Sequence, residues 1–116
     1  INFSLKNKLK KLKLRWEKNK CMTIVLCSKG YPGKYNKDKI INLTKFKDKK
    51  NLFIVHAGTK IKNGDLVSNG GRVLNIVSKG KSLRQIREKI IKLIRKINWK
   101  FGFFRRDIGW RIIRGK

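Results

Sequence analysis

Asn51-Leu52-Phe53-Ile54-Val55-His56-Ala57-Gly58-Thr59-Lys60-Ile61-Lys62-Asn63-Gly64-Asp65-Leu66-Val67-Ser68-Asn69-Gly70-Gly71-Arg72-Val73-Leu74-Asn75-Ile76-Val77-Ser78 is the stretch that decides the fold. At its centre, Thr59–Lys62 and Asp65–Ser68 flank Asn63-Gly64. A two-residue hairpin turn needs positive φ at both central positions, and Asn-Gly supplies it with the least strain. The apolar runs on either side read as two further strands, Asn51–Ala57 and Arg72–Ser78, with Asn69-Gly70-Gly71 as a second tight reversal. Strands joined by such short connections form an antiparallel sheet.

C-terminal to this stretch, Ser82 precedes Gln85 by three residues. That is a capping box, in which the two side chains satisfy each other's backbone donors. Leu83, Ile86, Ile90, Leu93, Ile94 and Ile97 then form a stripe at helical spacing, with Ile91 at its edge and Arg84, Glu88, Lys92, Arg95 and Lys96 turned to water. A basic amphipathic helix can lie on a membrane, but such a stripe more often packs on a sheet, which is the reading taken here. The expected fold is therefore α+β: a small antiparallel or mixed sheet, or a half-barrel, with one long amphipathic helix against it.

N-terminal to it, residues 22–28 read as a strand apolar enough to be buried on both faces. Tyr31-Pro32-Gly33 carries a type II turn signal, with Gly supplying positive φ. Residues 34–50 read as a loop with one short strand at Ile40, Ile41 and Leu43. Residues 1–20 are basic, with Leu5, Leu9, Leu12 and Trp16 at helical spacing, although Leu12, Leu14 and Trp16 also alternate as a strand would. They read as a membrane-surface or nucleic-acid helix or, as expected here, as the end of a helix that docks on the domain. Cys21 and Cys27 bracket one strand and so stand roughly 20 Å apart, too far to pair. Free thiols fit a reducing, cytoplasmic compartment. There is no 18-residue apolar run, hence no transmembrane helix. The first residue, Ile1, suggests numbering that starts inside a longer chain.

The chain has 33 Lys and Arg against 6 Asp and Glu, a net charge of +27. Nucleic acid is one partner that such a charge suggests. Against this, Lys, Ile and Asn together make up 49 of the 116 residues, and all three have AT-rich codons. The lysines also run through the whole chain, without the interleaved aromatics or named motif of a nucleic-acid module. Compositional drift accounts for most of the charge.

Catalytic chemistry is thin. There is one His, and the six acids are scattered at 17, 38, 48, 65, 88 and 107. They offer no carboxylate pair, metal cluster or nucleophilic triad, and no phosphate loop of the GxxxxGK[ST] kind is present. Catalytic residues and metal ligands are therefore assigned to none. The hairpin brings 56–60 beside 68–72, so that glycine N–H groups, the Thr59 hydroxyl and the Arg72 guanidinium make a plausible anion cradle. The same glycines would also serve turns alone. Arg105-Arg106-Asp107 reads either as an anion clamp or as an Arg–Asp pair that pins the tail, and Trp110 reads as a packing anchor.

Four motifs occur in order: Ser28-Lys29-Gly30-Tyr31-Pro32-Gly33-Lys34-Tyr35, His56-Ala57-Gly58-Thr59-Lys60, Asn69-Gly70-Gly71-Arg72-Val73-Leu74 and Arg105-Arg106-Asp107-Ile108-Gly109-Trp110-Arg111. Together they resemble the C-terminal domain of the phosphoribosylamine–glycine ligase family (glycinamide ribonucleotide synthetase), of the ATP-grasp superfamily, over residues 14–113. The resemblance implies a ligase of de novo purine synthesis, which joins glycine to 5-phosphoribosylamine with ATP. It implies ATP and Mg2+ as cofactors of the whole enzyme, bound by upstream ATP-grasp domains absent here, with none bound by this chain alone. It assigns Gly58, Thr59, Gly70, Gly71 and Arg72 to the substrate-phosphate cradle, with His56, Arg105 and Asp107 shaping the site. Residues 1–20 would then be a basic helical or linker segment, and 21–116 the ligase C-terminal domain. The implied partners are the substrate phosphate and the upstream domains, with no specific nucleic acid and no membrane. The fragment alone would be inactive. The rival readings are a basic nucleic-acid-binding module and a non-functional remnant of the ligase.

Overall fold

The computed structural model describes residues 1–115. Along the chain come α1 (Asn2–Leu5), a 3-10 turn (Leu9–Lys11), β1 (Lys20–Ser28), β2 (Leu52–His56), β3 (Thr59–Lys62), β4 (Asp65–Ser68), β5 (Arg72–Gly80), α2 (Leu83–Ile97), β6 (Gly102–Phe103) and α3 (Trp110–Arg114). Four strands form one antiparallel sheet in the order β2-β5-β1-β6, and β3-β4 form a separate two-stranded sheet. The α+β class and the sheet with its packed helix match the sequence expectation. The division into two sheets is what the structure adds.

The core lies between the large sheet and α2. Ile24 stands opposite Ile76, Leu26 opposite Leu74, Met22 opposite Ser78 and, from β2, Ile54 opposite Ile76. All of these are buried, as are Ile86, Ile90, Leu93 and Ile94 on α2. The helical stripe thus packs as its spacing predicts. Strand β1 corrects the expectation of burial on both faces. Its residues alternate in burial, because α2 covers only one side of the sheet. On the other side Val25, Phe53, Asn75 and Val77 are half-buried, and Val55 is exposed. The capping box is half formed: the Ser82 hydroxyl accepts from the Gln85 N–H at 3.5 Å. At the far end Asn98 closes α2 in the left-handed conformation.

Asn63 and Gly64 take positive φ, 51° and 84°, as the hairpin requires. Near Tyr31 the expectation fails. The Tyr31–Pro32 bond is cis, and the positive φ falls at Gly30, not Gly33. The expected docking of residues 1–20 also fails. All are exposed, Trp16 among them, and only short helical pieces form. Helix nucleation is costly, and here it faces a cluster of like charges. One tie is an ion pair of 3.1 Å from Lys79 to Glu17.

The 34–50 segment contributes two isolated bridges, Ile40 to Val67 and Lys49 to Leu52, and the buried Ile41, whose N–H donates to the Leu66 carbonyl at 2.8 Å. Asp38 fastens this segment to the small sheet. Its carboxylate meets Lys60 at 2.8 Å and Lys62 at 2.7 Å. The two ammonium groups hold it down to about 2, below the ordinary carboxylate value. A lowered folded value means that the contribution is whole above the unfolded pKa, about 3.9, and disappears as pH falls through the folded one. Amide protection at 38–41 and 66–68, relative to the unfolded exchange rate at each pH, is therefore expected to fall from about pH 4 downward. Asp38→Asn should already have the lower protection at neutral pH and show no further acid response of this kind. Equal acid profiles for the two proteins would remove Asp38 from this role.

Candidate functional site

On the side of the large sheet away from α2 lies an open groove of about 460 Å³, lined by Val25, Tyr31, Ala57, Gly58, Gly71, Arg72 and Asn75. Its size falls within the range of small-molecule sites. The register shows how Arg72 comes to face it. Leu26 pairs with Leu74 and the next residue, Cys27, with Arg72, so Val73 is an extra residue in β5. Such a bulge flips the facing of the side chains on its two sides relative to a regular strand. Val73 is buried, and Arg72 is exposed beside Cys27 on the groove side. Burial pushes the Cys27 thiol up, with the Arg72 charge pulling back.

Glycines shape the walls. A Cβ on Gly71 would sit 1.9 Å from the Tyr31 ring, so the ring lies directly against the bare backbone. A Cβ on Gly58 would meet the Arg72 carbonyl oxygen and Gly70 Cα, both at 2.7 Å. The Gly58 N–H donates to the Arg72 carbonyl at 2.8 Å, and the Asn69 N–H to the Gly58 carbonyl at 2.7 Å. The 56–60 and 68–72 segments are therefore side by side, as the hairpin predicts.

Of the expected cradle residues, Gly58, Gly71 and Arg72 line the groove. Gly58 does so as a spacer, because its N–H already has a partner. Gly70 stands behind Gly58, and its carbonyl accepts the Ser28 hydroxyl at 2.9 Å. The Thr59 hydroxyl lies 3.1 Å from His56 Nδ1. His56 is opposite Leu74, which puts it on the α2 side of the sheet. Neither residue lines the groove. Sequence reading missed Tyr31 and Asn75 as lining groups. The signal for Asn75 was available: an amide interrupting an apolar strand, between Leu74 and Ile76.

The 105–107 segment lies elsewhere. It follows β6, at the edge of the sheet opposite β2, and does not line the groove. The Arg105 guanidinium is held in a fork by Asp107, at 2.7 and 3.1 Å. That contact keeps the Asp107 carboxyl below its usual value. Arg87 of α2 donates to the Ile108 carbonyl at 3.0 Å and also to the Arg106 carbonyl. These contacts fit the tail-pinning alternative. Trp110 is partly exposed, under the Arg111 guanidinium at 5.5 Å. The buried aromatic anchor of this region is Trp99. Among the described residues no three His, Cys, Asp or Glu gather as a metal site. No helix of the described residues is long and apolar enough to cross a membrane.

Residues 21–111 match the family model of the phosphoribosylglycinamide synthetase C domain. The chain is 41% identical over 114 residues to a chloroplastic phosphoribosylamine–glycine ligase of Arabidopsis thaliana, covering 96% of this chain and 21% of that protein. It is 41% identical over 106 residues to the Agrobacterium fabrum ligase, covering 90% of this chain and 25% of that one. A crystal structure of the Thermotoga maritima ligase superposes with a TM-score of 0.64 at 34% identity, over 75% of this chain and 21% of that one. The chain thus spans about a fifth to a quarter of the length of these relatives. With the ordered motifs, the sheet and helix, and a match over most of its length, the chain belongs to the phosphoribosylglycinamide synthetase C-domain family.

Proposed function

We propose that this chain is the substrate-phosphate-binding C-terminal part of a phosphoribosylamine–glycine ligase. The whole enzyme would join glycine to 5-phosphoribosylamine, with ATP as the energy source and Mg2+ as its companion, giving glycinamide ribonucleotide, ADP and phosphate. ATP and Mg2+ would be held by the parts of the enzyme that this chain does not span. Residues 21–116 are the domain in this reading, and 1–20 the segment leading into it. The half-exposed side of the large sheet, with Val25, Phe53, Val55 and Val77, offers those other parts a surface to cover.

One observation carries the reading: the bulge in β5 turns the Arg72 guanidinium into a groove that no acidic residue lines. The ribosyl phosphate would take its charge-assisted bonds from Arg72, with the Tyr31 hydroxyl and Asn75 amide as further donors. Gly58 and Gly71 let the backbone approach. Thr59 and Gly70 keep the supporting turn in place, with His56 beside Thr59. Arg105 and Asp107 would act at a distance by fixing the tail.

In the assembled enzyme, Arg72→Ala is expected to weaken ribosyl-phosphate affinity by about 1.5–3 kcal/mol, the range for a hydrogen bond to a charged group. That is a rise of about 10- to 150-fold in the dissociation constant. Calorimetric titration with the phosphorylated substrate measures it. Unchanged affinity would take Arg72 out of the site and the phosphate out of the groove.

A further inference from the structure

A second groove, of about 530 Å³, lies between α2 and the 44–49 segment, away from the Arg72 groove. Its floor is apolar, made by Phe46, Leu52 and Leu93, and lysines stand on both walls. Lys89, Lys92 and Lys96 come from one face of α2, at spacings of three and four residues. Lys45, Lys47 and Lys49 come from the opposite wall, alternating with Phe46 and Asp48. The row on α2 is about 10 Å long, from the rise of a helix. The ion pairs among the described residues involve other cations: Lys60, Lys62, Lys79 and Arg105. The acids nearest in sequence, Asp48 and Glu88, do not line the groove. Asp48 instead accepts the Ile54 N–H at 3.0 Å.

We propose that this groove docks an acidic amphipathic segment of a partner protein, with apolar side chains on the floor and carboxylates to both lysine rows. Charge complementarity sets the sign of the partner, and six cations around one groove call for several negative charges. The floor decides the class. A segment with an apolar stripe flanked by acids satisfies floor and walls together, whereas a nucleic-acid duplex, its bases stacked inside, leaves the floor empty. The inference is independent of the ligase reading, because it uses a different surface and none of the Arg72 groove.

The test is fluorescence anisotropy of the 116-residue chain. The probe is a labelled helical peptide of Leu, Glu and Ala, about four turns long, with Leu at every third or fourth place and Glu on both flanks. At about 0.15 M salt it is expected to bind at least about fivefold more tightly than versions with Gln for Glu or Ser for Leu. Lys47→Glu and Lys92→Glu, both at exposed positions, should each weaken it about fivefold or more, while Lys18→Glu and Lys100→Glu change it less than about twofold. Equal binding of the Ser version would overturn the docking role of the floor. Equal losses in all four variants would show attraction by net charge alone and overturn the site. Tighter binding of oligouridylate than of the peptide, lost in the same groove variants, would assign the groove to nucleic acid instead.

Discussion

Ile76→Ala is expected to cost about 2–5 kcal/mol of unfolding free energy, the usual range for Ile→Ala in a core. Ile76 has no solvent exposure and sits mid-sheet, with Ile24 on one neighbouring strand and Ile54 on the other. Helix α2 lies above it. A cavity there is hard to close, because the ladders on both sides hold the neighbouring backbones in place. Domains of this size carry about 5–15 kcal/mol in all, so a large share of the stability would go. Urea titration followed by circular dichroism reads the loss. Ile61→Ala, at a residue 68% exposed on β3, is the comparison and should be close to neutral. A shift below about 1 kcal/mol for Ile76→Ala would contradict the placement of the core.

Gly58→Ala is expected to have the next largest effect, about 1–3 kcal/mol and toward the upper end. The added methyl would meet backbone on two sides, the Arg72 carbonyl and Gly70, and backbone cannot swing away as a side chain can. Relief requires the 68–72 segment to move off the 56–60 segment, which also widens the groove and displaces Arg72. Stability and phosphate affinity should therefore fall together. Gly64→Ala separates crowding from backbone conformation. Nothing lies within 4 Å of Gly64, but its φ is +84°, so an added side chain there meets only left-handed strain, about 1–2 kcal/mol. If Gly58→Ala proved the milder of the two, the close approach of the two segments would be wrong.

The local rules could be read before the structure. Asn63-Gly64 and the stripe from Leu83 to Ile97 each encode their geometry within a few residues, and both formed as expected. What could not be read depends on partners distant in sequence. That β3 and β4 leave the main sheet, and that the two-residue β6 pairs with β1, follows from no periodicity. The one-sided burial of β1 needs knowledge of which face α2 covers. At the groove, Gly58, Gly71 and Arg72 were legible as glycine turns beside a cation. Tyr31 and Asn75 were not, because one belongs to a separate loop and the other to a strand interior. His56 and Thr59 are adjacent to the groove in sequence, but pleating turns His56 to the other side of the sheet.

The half-exposed sheet face has a colloidal consequence. Two copies of the chain alone could meet across Val25, Phe53, Val55 and Val77. A net charge of +27 on each copy opposes that encounter. The opposition reaches about 8 Å at physiological ionic strength and only about 3 Å at 1 M. Raising the ionic strength is therefore expected to favour self-association of the lone chain, against which the lysines act as a solubilising coat.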